Sequence, residues 1–133
     1  MEIEIMSDTM ELLHVESFIR MLFEKYGLPE KIFYNVLVCV NEAVVNSIMH
    51  GNKYDENKKV KIQTFTTENH LFFRIADEGE GFNYRELPDP TTEENLLKES
   101  GRGLYIIKNI SEDIVFSEKG NIIEFKIKLG GEN

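Results

Sequence analysis

Three short stretches of this chain carry residue types that can do chemistry together. Glu42 and Asn46 stand four positions apart in "NEAVVNSIMHGN" (41–52), so a helix through them puts both on one face, with His50 a further turn along. The segment around them is apolar, and a carboxylate and a carboxamide on a mostly buried helix are costly unless each has a partner. Taken alone, the two read as solvated or as caps for nearby backbone. As a functional pair they read as a base and a metal ligand. Mg²⁺ takes oxygen, keeps several waters and needs few protein ligands when it arrives with a nucleotide. Glu42 would then accept a proton from a hydroxyl or a water attacking phosphorus.

The second stretch is "DEGEGF" (77–82). A calcium loop of the EF-hand type needs oxygen ligands at its third and fifth positions, and Gly79 and Gly81 stand there instead. A bulged strand end with flexible glycines explains the hexapeptide blandly. Functionally, a carboxylate at a strand end accepts from the exocyclic amine of adenine and repels the carbonyl that guanine shows at that position. An unpaired buried group of this kind costs roughly 1–3 kcal/mol, enough to discriminate. The glycines would let the backbone approach base and ribose, and release the chain into the polar stretch that follows.

The third stretch is Ser100-Gly101-Arg102-Gly103, ahead of the apolar "LYII". A glycine turn feeding a helix points free N–H groups outward, which favours an anion. No P-loop pattern occurs, and the dinucleotide pattern fails because Ile106 stands at its last glycine position. Protein-kinase motifs are also missing. A flexible helix entrance explains this loop as well as an anion site does.

These stretches must be held by the elements around them. "MEIEI" (1–5) alternates as a half-buried strand does. Residues 7–27 read as a helix capped by Ser7 or Asp8, with Leu12, Val15, Ile19 and Leu22 on one face and Gly27 as its stop. A second helix should run from about Pro29 to His50, with an apolar stripe through Phe33, Val36, Leu37, Val40, Val44 and Ile48. "VKIQTFTT" (60–67) and "LFFRIAD" (71–77) make a hairpin. Residues 83–100 form a polar stretch of 18 residues with two prolines, the length of a functional lid or a disordered loop. A short helix beginning at "GRGLYIIKNIS" and a second hairpin in "DIVFSEKGNIIEFKIKL", turning at "EKGN", complete the chain. This order predicts an α/β fold: a two-layer sandwich with a mixed, mostly antiparallel sheet and helices on one face.

At 133 residues, 41% hydrophobic and 29% charged, the chain suits one soluble domain, 1–133. Its net charge of −9 argues against nucleic-acid binding, which draws on Lys and Arg neutralising phosphates. No uninterrupted apolar run reaches a membrane span, and no leader pattern opens the sequence. Cys39, the only cysteine, cannot form an internal disulfide, so a reducing cytoplasm is expected.

In combination the motifs say more than singly. N-E-x-x-x-N on a helix, D-x-G-x-G-F, a polar lid, and G-x-G before a helix, in this order, resemble the GHKL ATP-binding superfamily of gyrase-type ATPases, histidine kinases and mismatch-repair ATPases. "EAVVNSIMHGN" and "SGRGLYIIKNI", in a chain of this size, are most similar to the anti-sigma-factor serine/threonine kinases. The resemblance spans nearly the whole chain and implies a histidine-kinase-like ATP-binding domain. It makes Asn46 the Mg²⁺ ligand, Glu42 the catalytic base and Asp77 the contact to the adenine amine. Gly79, Gly81 and Phe82 would lie beside the nucleotide, and Gly101, Arg102, Gly103 and Leu104 around the phosphates, with Arg102 on the γ-phosphate. Glu99 stands where some members carry a basic residue, and Tyr105 where membrane-type histidine kinases show a further glycine.

The activity implied is transfer of the ATP γ-phosphate to a serine or threonine of an anti-sigma-factor antagonist of the STAS type. The chain would otherwise sequester a sigma factor or similar regulator, as a homodimer pairing through its sheets, without direct contact to nucleic acid or membrane. The alternatives are a non-catalytic, nucleotide-gated partner-binding module and an ATPase subunit of a two-component system. His14 has no dimerisation hairpin around it and reads as a surface or packing residue. His50 reads as a structural hydrogen-bonding group, Cys39 as core, and Lys53 and Tyr54 as candidates for the pocket wall.

Overall fold

A computed structural model describes residues 1–80, 99–117 and 119–130. Gly81 and Phe82, and positions 83–98 of the lid expected at 83–100, lie outside the described residues. Strand β1 (Glu2–Met6) leads into α1 (Leu12–Tyr26), then α2 (Phe33–Asn46), the hairpin β2 (Lys59–Thr66) and β3 (His70–Ala76), α3 (Glu99–Ile110), and the hairpin β4 (Glu112–Phe116) and β5 (Ile122–Lys128).

Local signals set the helix ends. The Asp8 side chain accepts from Met10 N at 2.9 Å and caps the 3-10 turn that opens α1. Gly27 closes α1 at φ 60°, a left-handed conformation that glycine adopts without a Cβ penalty. A 3-10 turn (Glu30–Ile32) precedes α2, and a π turn (Ser47–Gly51) extends it, with Asn52 N donating to Ser47 O at 2.8 Å. The helix expected from about residue 29 to residue 50 is therefore present, with a wider last turn than an apolar period can reveal.

The sheet runs in the order β1-β2-β3-β5-β4, and each of its four pairings is antiparallel. Register aligns Ile62 with Ile75, Phe73 with Phe125 and Ile75 with Ile123, so alternate side chains share one face. That face is buried in one core with Val15, Ile19 and Leu22 of α1, Val36, Val40 and Val44 of α2, and Ile107 of α3. This is the two-layer α/β sandwich that the element order predicts. The other face carries Gln63, Arg74, Glu124 and Lys126, with Arg74 paired to Glu124 at 3.1 Å and Phe65 stacked on Phe72 at 4.6 Å.

The stretch Glu30–Gly51 is 22 residues long with a mean hydropathy of 1.5, enough by length and composition to cross a bilayer. Here the helix is the centre of the core, with Val36, Val40, Val44 and Ile48 fully buried.

One correction concerns the start of the last helix, expected at Gly101. Helix α3 begins at Glu99, so Ser100, Gly101, Arg102 and Gly103 are its first turn rather than a loop before it. The motif has no proline to stop the helix, and the free N–H groups of a helix start fall on these residues themselves. The Arg102 side chain lies outside the described part of the structure.

Candidate functional site

Helices α2 and α3 and the open ends of β3 and β5 surround a cavity of about 310 Å³, near the lower end of the size range for small-molecule sites. Its lining is mostly apolar, with Ile75, Leu104, Phe116 and Ile122 as walls and Asn46, Ser47, His50, Asp77 and Asn121 as polar groups.

At the sheet end sits Asp77, only 7% exposed, one residue past β3. Its backbone is fixed by Asn121 across the sheet: Asp77 N donates to Asn121 O at 2.9 Å, and Asn121 Nδ2 donates to Asp77 O at 3.2 Å. Gly79 N donates to Asp77 Oδ1 at 2.9 Å, turning the chain back on the carboxylate. Burial raises the Asp77 pKa above the ordinary aspartate value, and the bonds from Gly79 and Ser47 and the charges of Lys119 and Lys58 offset part of that rise.

Glycines make this packing possible. A Cβ on Gly51 would stand 2.2 Å from Asp77 Oδ2, and one on Gly79 would stand 2.0 Å from Gly51 O. The π turn thus lays its last residue directly against the carboxylate. Buried Asn52 locks the same turn from outside the cavity. It accepts from Glu78 N at 2.8 Å and donates to Ser7 Oγ at 2.9 Å and Lys59 O at 3.1 Å.

At the helix end, Glu42 and Asn46 meet the first turn of α3. A Cβ on Gly103 would lie 2.9 Å from Glu42 Oε2 and 3.5 Å from Asn46 Nδ2. Asn46 also lines the cavity, so it joins the two ends of the site. The fold therefore brings together Glu42, Asn46, Asp77, Gly79, Gly103 and Leu104 from three separate stretches of sequence. His50 is exposed and lines the cavity, while Lys53 and Tyr54 are exposed, have positive φ, and are not part of the wall. His14 is exposed and pairs with Glu11. Cys39 is fully buried, and burial pushes its thiol up to about 12, so it is an inert core residue.

Sequence reasoning missed Gly51, Ser47, Phe116 and Asn121. Gly51 and Asn52 read there as helix stops and "EKGN" as a hairpin turn. Only the register of β3 against β5 shows that this turn closes over Asp77.

The chain matches the histidine kinase-like ATPase domain family over residues 6–127. It is 33% identical over 100 residues to the anti-sigma F factor of Clostridium perfringens, covering 71% of each chain. It is 28% identical over 102 residues to the serine-protein kinase RsbW of Bacillus subtilis, covering 71% of this chain but only 64% of that relative's length. A histidine kinase domain from the blue-light activated histidine kinase of Erythrobacter litoralis shares the fold, with a TM-score of 0.56 at 15% identity, over 91% of this chain and 60% of that one. The chain belongs to the histidine kinase-like ATPase domain family, with a GHKL-type, kinase-like ATPase fold.

Proposed function

We propose that the chain is a serine/threonine protein kinase of the anti-sigma-factor type, a single domain that moves the γ-phosphate of ATP to a small antagonist protein. One observation carries this reading: Glu42 and Asn46 face the same glycine of α3, and Asn46 lines a cavity that also holds the buried carboxylate of Asp77. The apolar walls suit a base, and Asp77 suits its exocyclic amine. The absent side chain at Gly103 lets the first turn of α3 pack closely against Glu42 and Asn46.

Asn46 would hold Mg²⁺ through its one side-chain oxygen. That ion would neutralise charge on the phosphates. Glu42 orients the acceptor hydroxyl and takes its proton. The hydroxyl oxygen bonds to the γ-phosphorus, the bridging bond to the β-phosphate breaks, and ADP leaves with that electron pair. The N–H groups of the α3 first turn, around Gly101 and Arg102, face the phosphates. Gly81 and Phe82 belong to the same nucleotide site by their place in the motif.

The acceptor would be an antagonist of the STAS type, and a sigma factor or analogous regulator the sequestered partner; the names of the relatives, a serine-protein kinase and an anti-sigma factor, support a protein serine and a sigma factor. Added phosphate charge of about −2 on the antagonist would release it from the kinase. Exposed Phe65 and Val115 on the open sheet face support a homodimer, which would act in the cytoplasm. The test is a labelling assay with γ-labelled ATP, Mg²⁺ and an antagonist from the same genome. Acid-stable label on a serine or threonine, lost in Glu42→Ala, is expected. Acid-labile label would place phosphate on histidine and overturn the acceptor class. ATP binding without any label on partner proteins would make the chain a nucleotide-gated binding module.

A further inference from the structure

A buried carboxamide outside the cavity ties the base end of the site together. Asn52 is 1% exposed and is not part of the cavity wall, so it acts on a ligand only through other residues. Its hydrogen bonds fix which way the carboxamide points. Glu78 N can only donate, so the Asn52 atom 2.8 Å from it is Oδ1. Lys59 O can only accept, so the atom 3.1 Å from it is Nδ2. Ser7 Oγ gives its one proton to Lys58 O at 2.5 Å and is left to accept from Nδ2 at 2.9 Å. The three contacts agree on one orientation, in which both Nδ2 hydrogens are used.

The two Nδ2 bonds tie the π turn to Ser7, between β1 and α1, and to the start of β2. The Oδ1 bond does something else. Glu78 follows Asp77 in the chain, and Gly51, which packs on the Asp77 carboxylate, precedes Asn52. The bond from Glu78 N therefore closes a small ring through Asp77, Glu78, Asn52 and Gly51. Inside that ring Gly79 N holds Asp77 Oδ1 at 2.9 Å. A carboxylate kept in place before a ligand arrives has less freedom to lose on binding, and its contact is stronger for it.

We propose that Asn52 is a positioning residue for base recognition: its Oδ1, by holding Glu78 N, keeps the Asp77 carboxylate aimed at the amine of adenine. This rests on the nucleotide site proposed above, and it assigns a role in that site to a residue that does not touch the ligand.

The test compares ATP with purine riboside triphosphate, which lacks the amine. Wild-type protein should bind ATP about tenfold more tightly, the worth of one hydrogen bond to a charged group. In Asn52→Ala that preference should shrink to about twofold. Ser7→Ala is the control, since it removes a bond of the same network that does not reach Asp77. Both variants should melt at lower temperature than wild type, and Ser7→Ala should keep the tenfold preference. An unchanged preference in Asn52→Ala, or an equal loss in Ser7→Ala, overturns the role of Asn52. A second measurement needs no variant to fold. Coupling between two contacts is reciprocal, so the amine should in turn strengthen the bond from Glu78 N. At saturation, amide hydrogen exchange at Glu78 in wild type should be about threefold slower with ATP than with purine riboside triphosphate. Equal exchange with the two nucleotides overturns the proposal. Wild type that binds both nucleotides equally removes Asp77 from base reading, and the role of Asn52 falls with it. No ATP binding at all overturns the nucleotide site itself.

Discussion

The two ends of the cavity are built differently. At the base end, Asp77 is buried and fixed by neighbours through backbone: Asn121 across the sheet, Gly79 in the turn, and Gly51 packed on its carboxylate. At the proposed reactive end, Glu42 and Asn46 project from α2 toward a glycine of α3, and the helices come this close because Gly103 has no side chain. On the proposed reading, recognition is set at the end of the sheet, and the reactive groups meet between two helices. Substitutions at the base end should act on affinity, and those at the reactive end on the rate of transfer.

The largest effect should come from Glu42→Gln, which keeps the shape and removes the base. Phosphoryl transfer should fall by about a hundredfold or more, and ATP affinity, read by titration calorimetry, should stay within about threefold. Next is Gly51→Ala. Its Cβ would stand 2.2 Å from Asp77 Oδ2, and that carboxylate is held by Gly79 N and cannot swing away. Thermal unfolding should show a loss of about 1–3 kcal/mol, as overpacking does, together with weakened ATP binding.

Asp77→Asn should weaken ATP binding by about tenfold and yet raise the melting temperature of the nucleotide-free protein. The sign follows from burial, which raises the Asp77 pKa in the folded state. Between the ordinary aspartate value and that raised value the native state holds more protons than the unfolded chain. The contribution of Asp77 to stability is therefore greatest below the ordinary value and is lost as pH rises through the raised one. At neutral pH the charged group opposes folding, and Asn removes the charge. Melting temperatures of wild type and Asp77→Asn against pH should diverge upward through this window; parallel curves would refute the burial argument. The smallest effect belongs to Arg74→Ala on the open sheet face. Its ion pair with Glu124 is half-exposed, so stability should change by no more than about 1 kcal/mol and ATP binding should not change.

The sequence was informative wherever a local signal sufficed. Asp8 and Gly27 mark the ends of the first helical segment, alternation marks both hairpins, and the spacing of Glu42 and Asn46 places them on one helix face. The rest depends on contacts between distant stretches. Gly51 looks like a helix stop until β3 sets Asp77 against it. Asn121 looks like a turn residue until the β3–β5 register carries it 44 positions back to Asp77. The start of the last helix at Glu99, ahead of both glycines, also escaped local reading, because paired glycines suggest a loop, whereas Gly103 serves here to let α3 approach Glu42.

The most direct test of this division of labour measures binding and transfer side by side in Glu42→Gln and Asp77→Asn, with Mg-ATP and a phosphorylatable antagonist. The two defects should separate. Glu42→Gln should bind ATP as wild type does and transfer almost nothing, and Asp77→Asn should bind weakly yet transfer at close to the wild-type rate once ATP saturates. Loss of ATP binding in Glu42→Gln, or loss of transfer at saturating ATP in Asp77→Asn, would contradict it.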